Sequence, residues 1–403
     1  MIQREWYMKK IRPFIDQEVI KVLTGIRRSG KSVMFRLIQK ELLLRGVSEK
    51  QMVTINFEDM SFAHLCHAEK LHEEMERRIS DIPGKAYLFF DEIQEVSDWE
   101  RCINSLRVKF DCDIYITGSN AKLLSGELAS RIAGRHVEFV IYPFSFSEFV
   151  SLQRSFFDIK DDASIFKEYL LMGGMPYLFH LRYEEEPSRQ YLQDIYNSVV
   201  LKDIVKRNNI RDVALLERII LFVMANVGTT FSANSLSKYM KNEGRKVAPE
   251  TIANYIRFCE EAFLFYKVRR EDLQGKKILS SSEKYYMVDH GIRESIFGGN
   301  TKDINLILEN IVYMELARRG YQIRVGKSDE KEIDFVCEKR GRKIYVQVCY
   351  LLSSDDVMER EFGVYRQITD NFPKFVLSMD EFDMSRDGIV HLNIRDFLLR
   401  EDW

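Results

Sequence analysis

Short apolar runs come first along the chain, separated by amphipathic stretches. Residues 19–23, 52–57, 87–90, 113–117 and 137–142 are mainly apolar, β-branched or aromatic, and each has the length of a strand. After the first run, Val33, Met34, Leu37, Ile38 and Leu42 recur at helical spacing. Strands alternating with helical stretches predict a parallel α/β sheet covered on both faces. The period then changes. Helical patterns cover 165–171, 188–205, 215–226, 232–239 and 251–262, with a turn at Gly173-Gly-Met-Pro176. Residues 264–270 read as a strand. A helix over 304–319 is closed by Gly320. Strands follow at 321–325, 332–336, 343–348 and 374–377, with a hairpin at Lys339-Arg-Gly341. The pattern divides the chain at 1–150, 151–280 and 281–403.

The first strand–helix junction carries chemistry. Gly25-Ile26-Arg27-Arg28-Ser29-Gly30-Lys31-Ser32 has the spacing of a phosphate-binding P-loop. Gly25 and Gly30 let the backbone turn its N–H groups toward phosphate oxygens. Lys31 can reach the β- and γ-phosphates of ATP, and Ser32 can offer its hydroxyl to Mg²⁺. The helix N-terminus adds its positive dipole end. Arg27 and Arg28 contact phosphate or ribose, or face solvent. The run at 87–90 ends in Asp91-Glu92, the arrangement of a Walker B site. Asp91 would hold Mg²⁺ and Glu92 would orient the attacking water.

A strand lies between these two motifs, and a Glu stands beside the Asp. Together they resemble the additional-strand catalytic-glutamate class of P-loop ATPases. That resemblance implies a γ-phosphate sensor at the end of the next strand, here Ser119 or Asn120. It also implies an arginine at an inter-subunit or inter-domain edge, with Arg135 the candidate and Arg131 the alternate.

With 403 residues, 45% of them apolar, the chain is long enough for two or three domains with real cores. No apolar run has the length of a membrane span, and the start lacks the apolar core of a signal peptide. Six scattered cysteines suit a reducing cytoplasm. His64, Cys66, His67 and His72 read as a polar loop or helix face ahead of a metal site. The overall net charge of −2 says little, but residues 201–280 hold 15 Lys and Arg against 9 Asp and Glu, a net of +6. A basic segment in an otherwise acidic chain is a candidate for DNA contact.

Residues 215–270 resemble a winged helix-turn-helix. Its second helix would offer Thr251, Asn254 and Arg257 from one face. Lys246, Lys276 and Lys277 would reach phosphates from the loops. Winged helices also dock proteins, so a protein partner or homo-oligomer stays open beside DNA. The C-terminal acids resemble the PD-(D/E)XK nuclease core. Carried over by position, Glu309 is the helix acid and Asp334 the strand acid. Gln347 stands where the second acid would be, and Cys349 where the lysine would be. A neutral ligand and a missing positive charge imply lost or feeble cleavage.

The whole chain resembles a family of prokaryotic AAA-type ATPases with a C-terminal domain of unknown function. It is also similar to archaeal ATPases with a winged helix and a nuclease-like tail. The resemblance rests on residues 24–32, 91–94, 117–119 and 133–135, and on 201–204, 275–277, 286–291 and 332–335. The fold class it implies is α/β: a P-loop NTPase core with a parallel sheet, then a helical and winged-helix region, then a restriction-endonuclease-like α/β domain. The function it implies is an ATP-hydrolysing motor or switch acting on DNA. The alternatives are a nucleotide-dependent docking scaffold and an ATP-gated metal-dependent nuclease.

Overall fold

The computed structural model describes all residues except Met1, 122–133, 157–160, 274–276, Asn300, 329–330 and 401–403. The chain forms two compact units: Met1–Tyr142 with Glu261–Phe263, and Pro143–Glu260 with Leu264–Trp403.

The first unit is built on five parallel strands, β1 (Ile20–Thr24), β2 (Met52–Asn56), β3 (Ala86–Asp91), β4 (Cys112–Gly118) and β5 (His136–Val140). Their order across the sheet is β2-β3-β4-β1-β5. Strands β1 and β3 are buried at every position, as the continuous apolar runs require of central parallel strands. Helices α1 (Glu5–Ile11) and α2 (Lys31–Leu44) cover one face, and α3 (Ala68–Ser80) and α4 (Trp99–Lys109) the other. Successive residues of β3 serve opposite faces. Leu88 and Phe90 pack with Leu71, Met75, Ile103 and Leu106, while Tyr87 and Phe89 pack with Met8, Ile11, Met34 and Ile38. The one charge inside the first apolar run, Lys21, is fully buried on Asp113 and also donates to the Gln17 carbonyl at 2.6 Å. Tyr115 and the Asp16 amide complete that carboxylate's partners, at 2.8 and 2.9 Å. This satisfied pair ties the start of β1 to the start of β4.

The second unit begins with α5 (Phe146–Phe156), α6 (Asp162–Met172) and α7 (Glu185–Ser198). Phe146 and Phe149 pack on Phe166 and Tyr169, so residues 143–150 belong with the helices of this unit rather than with the first sheet. The helix expected over 188–205 is α7 continued by a π-helical stretch, Val199–Lys206. Then come α8 (Val213–Ala225), α9 (Ala233–Asn242) and α10 (Pro249–Glu261).

The seven remaining strands form one mixed sheet. They are β6 (Phe265–Asp272), β7 (Lys277–Met287), β8 (Gln322–Ser328), β9 (Lys331–Lys339), β10 (Arg342–Val348), β11 (Lys374–Ser378) and β12 (Val390–Asn393). The order is β12-β11-β10-β9-β8-β6-β7. Helices α11 (His290–Phe297), α12 (Ile304–Arg318), α13 (Asp355–Gly363) and α14 (Ile394–Leu399) complete the unit. The expected boundary at 280 falls inside β7. Strand β6 pairs with β7 on one side and with β8 on the other, so the hairpin following α10 is continuous with the C-terminal sheet. Phe231, between α8 and α9, bridges Glu283 on β7. The Gly173–Pro176 turn and the 286–291 stretch meet in this unit. The Gly174 amide donates to buried Asp289 at 2.7 Å, and the His290 ring bonds to the Tyr169 carbonyl at 2.6 Å. These motif residues serve packing.

Candidate nucleotide site and the acidic centre of the second unit

All strands of a parallel sheet end on one side, so the P-loop after β1, Asp91-Glu92 after β3 and Ser119-Asn120 after β4 share one edge. Strand β4 lies between β1 and β3, which brings these three segments together. Gly25 is required where it stands. Its φ is 138°, and a Cβ would lie 2.3 Å from the Ile141 carbonyl oxygen. Gly30 caps α2 in the left-handed region, and Arg28 takes φ 70° within the loop. Lys31 is buried and donates to the carbonyls of Gly25 and Ile26 at 3.0 and 3.1 Å. Ser29 Oγ is buried in the loop with no hydrogen-bond partner among the described residues. Arg27 pairs with Glu58 at 2.6 Å, and Arg28 is exposed.

Asp91 is buried and accepts hydrogen bonds from the hydroxyls of Thr117 and Ser32. Burial raises its carboxyl above the ordinary aspartate value; the two hydroxyls offset part of this, and Glu92 adds to it. Glu92 adopts φ 55°, an uncommon conformation for a side chain of this size. Its amide donates to Thr117 Oγ1 at 2.9 Å, and Gln94 donates to its carboxylate. The Lys31 ammonium stands 3.8 Å away. Burial pushes the Glu92 carboxyl up, but Lys31, Gln94, Arg27 and Ser119 outweigh it and hold it below the usual glutamate value. Glu92 is therefore ionised at neutral pH, beside a carboxyl that burial makes receptive to a cation.

Ser119 and Asn120 are both buried here. Thr117 was no more than part of a polar strand end in the sequence; it holds Asp91 and Glu92 in register. Arg131 lies outside the described residues. Arg135 precedes β5, and its carbonyl accepts from the Ile20 amide at 2.8 Å. It is thus at the far end of β1 from the P-loop, roughly 16 Å along the strand. Its side chain cannot reach the phosphate site of its own chain, so its expected role applies only across subunits.

Residues 17–150 match a family described as an AAA domain, and residues 163–303 match a domain of unknown function (DUF8612). An uncharacterized protein of Haemophilus influenzae is 36% identical over 402 residues, 99% of each chain. An uncharacterized protein of Methanocaldococcus jannaschii is 30% identical over 365 residues, 86% of this chain and 78% of that one. This chain belongs to their AAA-domain family. Among solved structures, the Thermotoga maritima RuvB Holliday junction branch migration motor overlaps it loosely. The identity is 14% and the TM-score 0.36, over 69% of this chain and 92% of that chain.

Outside the AAA domain, the second unit brings Glu309 of α12 and Asp334 of β9 together, as the sequence expected. Gln347 accepts from the Asp334 amide at 3.2 Å, and the Val348 amide donates to the Asp334 carboxylate at 3.0 Å. Cys349 is buried, and burial pushes its thiol up. Three residues at this centre were missed, Lys284, Glu332 and Tyr286, and Lys284 brings the positive charge that Cys349 was expected to leave missing. Lys284 of β7 is 3% exposed and lies 2.9 Å from Glu309, 2.9 Å from Glu332 and 3.4 Å from Asp334. Burial alone would lower its ammonium; the three carboxylates outweigh it and hold the lysine charged. Tyr286 donates to Glu309 at 2.6 Å. Burial and Asp334 raise the Glu309 carboxyl. Among the described residues no group of three or more His, Cys, Asp and Glu is arranged to hold a metal ion. The available signal was Lys284 itself, a charge heading the run Tyr-Tyr-Met-Val.

On α10, Ile252, Ile256 and Cys259 are buried. Asn254 and Arg257 are exposed and bonded to each other at 3.2 Å; Thr251 is half-buried. Lys246 is exposed, and Lys276 lies outside the described residues, as does the side chain of Lys277. No described helix is long and apolar enough to cross a membrane.

Proposed function

We propose that the AAA domain binds and hydrolyses ATP with Mg²⁺, and that the cycle drives a DNA-contacting second unit as a switch or motor. The observation that carries the reading is the meeting of Lys31, Asp91 and Glu92 at one sheet edge, with Glu92 ionised 3.8 Å from the lysine. The residues fit the group. Ser29 Oγ is a buried loop hydroxyl without a partner among the described residues, and Ser32 with Asp91 forms the oxygen pair that a hard cation takes. Bound ATP with Mg²⁺ supplies a phosphoanhydride whose developing charge is shared with the cation. Lys31 exchanges its two carbonyl partners for phosphate oxygens. Glu92 orients the water and takes its proton, and Thr117 fixes the Glu92 backbone while it does so. Ser119 or Asn120 senses the γ-phosphate. Arg135, with Arg131 as alternate, completes the site of a neighbouring subunit.

Lys31→Ala removes nucleotide affinity in a filter or fluorescence binding assay. Glu92→Gln keeps ATP bound and slows turnover by about 10²–10⁴-fold. Unchanged turnover in Glu92→Gln overturns the assignment.

For the second unit, the order α8–α9–α10–β6–β7 and the Phe231–Glu283 bridge support the winged-helix reading, with Asn254 and Arg257 outward. The competing reading, a nucleotide-dependent docking scaffold, predicts affinity for DNA that is negligible or independent of salt. The nuclease reading is opposed by Lys284, whose ammonium sits among Glu309, Glu332 and Asp334 and competes with a metal for their oxygens. Mg²⁺- or Mn²⁺-dependent plasmid cleavage that is lost in Asp334→Ala would restore it.

A further inference from the structure

The tip of the β9–β10 hairpin is a two-residue turn, Arg340-Gly341, with φ of 50° and 77°. Two left-handed residues make a type I′ turn, whose favoured first residue is Asn, Asp or Gly. An arginine there is strained. The register sets Lys339 directly opposite Arg342, and like charges across a ladder destabilise it. One rung further, Lys343 faces Glu338 at 3.1 Å, the pairing that stability alone would select. Edge protection does not explain the charges, because β9 and β10 are interior strands of the sheet.

The tip forms one wall of a cleft of about 710 Å³. Lys339, Arg340, Arg342, Lys343 and Arg400 line it, and no carboxylate does so among the described residues. The neighbouring cleft shares Phe372 and Pro373 but mixes Glu359, Asp370 and Asp387 with its cations. Among the described residues, the first cleft is therefore lined by cations alone and its neighbour by both signs. Burial, Arg340 and Arg319 hold the Lys339 ammonium below the ordinary lysine value, as expected where positive charge accumulates. Tyr321 and Phe372 line the same cleft. Phe372 is 40% exposed, and the Lys339 ammonium lies 5.4 Å from the Tyr321 ring centre. Cations in a groove beside accessible aromatic faces match the sugar-phosphate backbone and the bases of an unpaired strand.

We propose that this cleft binds a single strand of nucleic acid, with phosphates on Arg340, Arg342 and Arg400 and a base against Tyr321 or Phe372. The surface is separate from α10, and the inference does not depend on the winged-helix reading. The test is fluorescence anisotropy of the full chain with labelled DNA and RNA strands of about 16 nucleotides, at several salt concentrations. Arg340→Glu with Arg342→Glu weakens binding at least tenfold and lowers the salt slope by roughly 1.4, the loss of two phosphate contacts. Arg340→Asn suits the turn, so it keeps the melting temperature while weakening binding roughly threefold. Binding of either strand type with these losses supports the cleft; a preference for RNA adds a 2′-hydroxyl contact. The proposal is overturned if the wild type binds no strand, or if the double variant binds as the wild type does. It is equally overturned if Lys246→Glu with Arg257→Glu abolishes binding and the tip variants do not, or if polyglutamate binds the cleft as tightly as the strand.

Discussion

Asp91 and Glu92 are adjacent in sequence and carry opposite shifts, because the chain turns sharply between them. Asp91 still points into the β3–β4 edge, where burial dominates. Glu92, at φ 55°, reaches Lys31 and Gln94. The two shifts have opposite consequences for stability. A buried aspartate whose value is raised costs nothing below the unfolded value. It loses stability as pH climbs from the unfolded value toward its raised folded value. Asp91→Asn should therefore raise the melting temperature at pH 7 without nucleotide and abolish the further rise given by ATP with Mg²⁺. Calorimetry of both states checks this; a lower melting temperature without nucleotide contradicts it. For Glu92 the sign reverses. Its contribution is present above the unfolded glutamate value and is lost as pH falls through the folded one.

At the scale of elements, strand β7 brings a lysine to a centre whose acids come from α12 and β9. A charged lysine among three carboxylates holds helix to sheet much as a cation would. Removing it leaves buried acids uncompensated. Lys284→Met should cost about 3–5 kcal/mol at pH 7, from denaturant titration. The loss should shrink toward pH 5, because the orphaned carboxyls then take up protons. Without nucleotide, Mn²⁺ should raise the melting temperature of this variant and leave that of the wild type unchanged. A variant insensitive to both pH and Mn²⁺ would mean that the lysine is not what neutralises this centre.

At the scale of the whole molecule, the AAA site and its candidate arginine stand at opposite ends of one sheet. On the proposed reading, Arg135 serves the site of a second copy. Lys31→Ala and Arg135→Ala should each be inactive alone. Mixed, they should recover a fraction of the wild-type ATPase rate, because one copy supplies an intact loop and the other an arginine. No recovery over a range of mixing ratios rules out Arg135 as the residue supplied in trans.

The sequence by itself determined the first sheet and its phosphate loop. Continuous apolar runs of five or six residues bury both faces of a strand, and the glycines of residues 25–32 are bound to local backbone geometry; both are short-range effects. That Glu309 and Asp334 share a neighbourhood came only from the resemblance to the PD-(D/E)XK core, not from the pattern of either element. The tertiary structure alone decided three other matters. Strand order put Thr117 between the two Walker B acids, a contact of two segments about 25 residues apart. The parallel pairing of β6 with β8 joined the hairpin after α10 to the C-terminal sheet and removed the boundary at 280. That same sheet, with α12 packed on it, carried Lys284 to acids 25 and 50 residues away. Local periodicity records which face of an element is apolar; it holds no information on which distant element that face will meet.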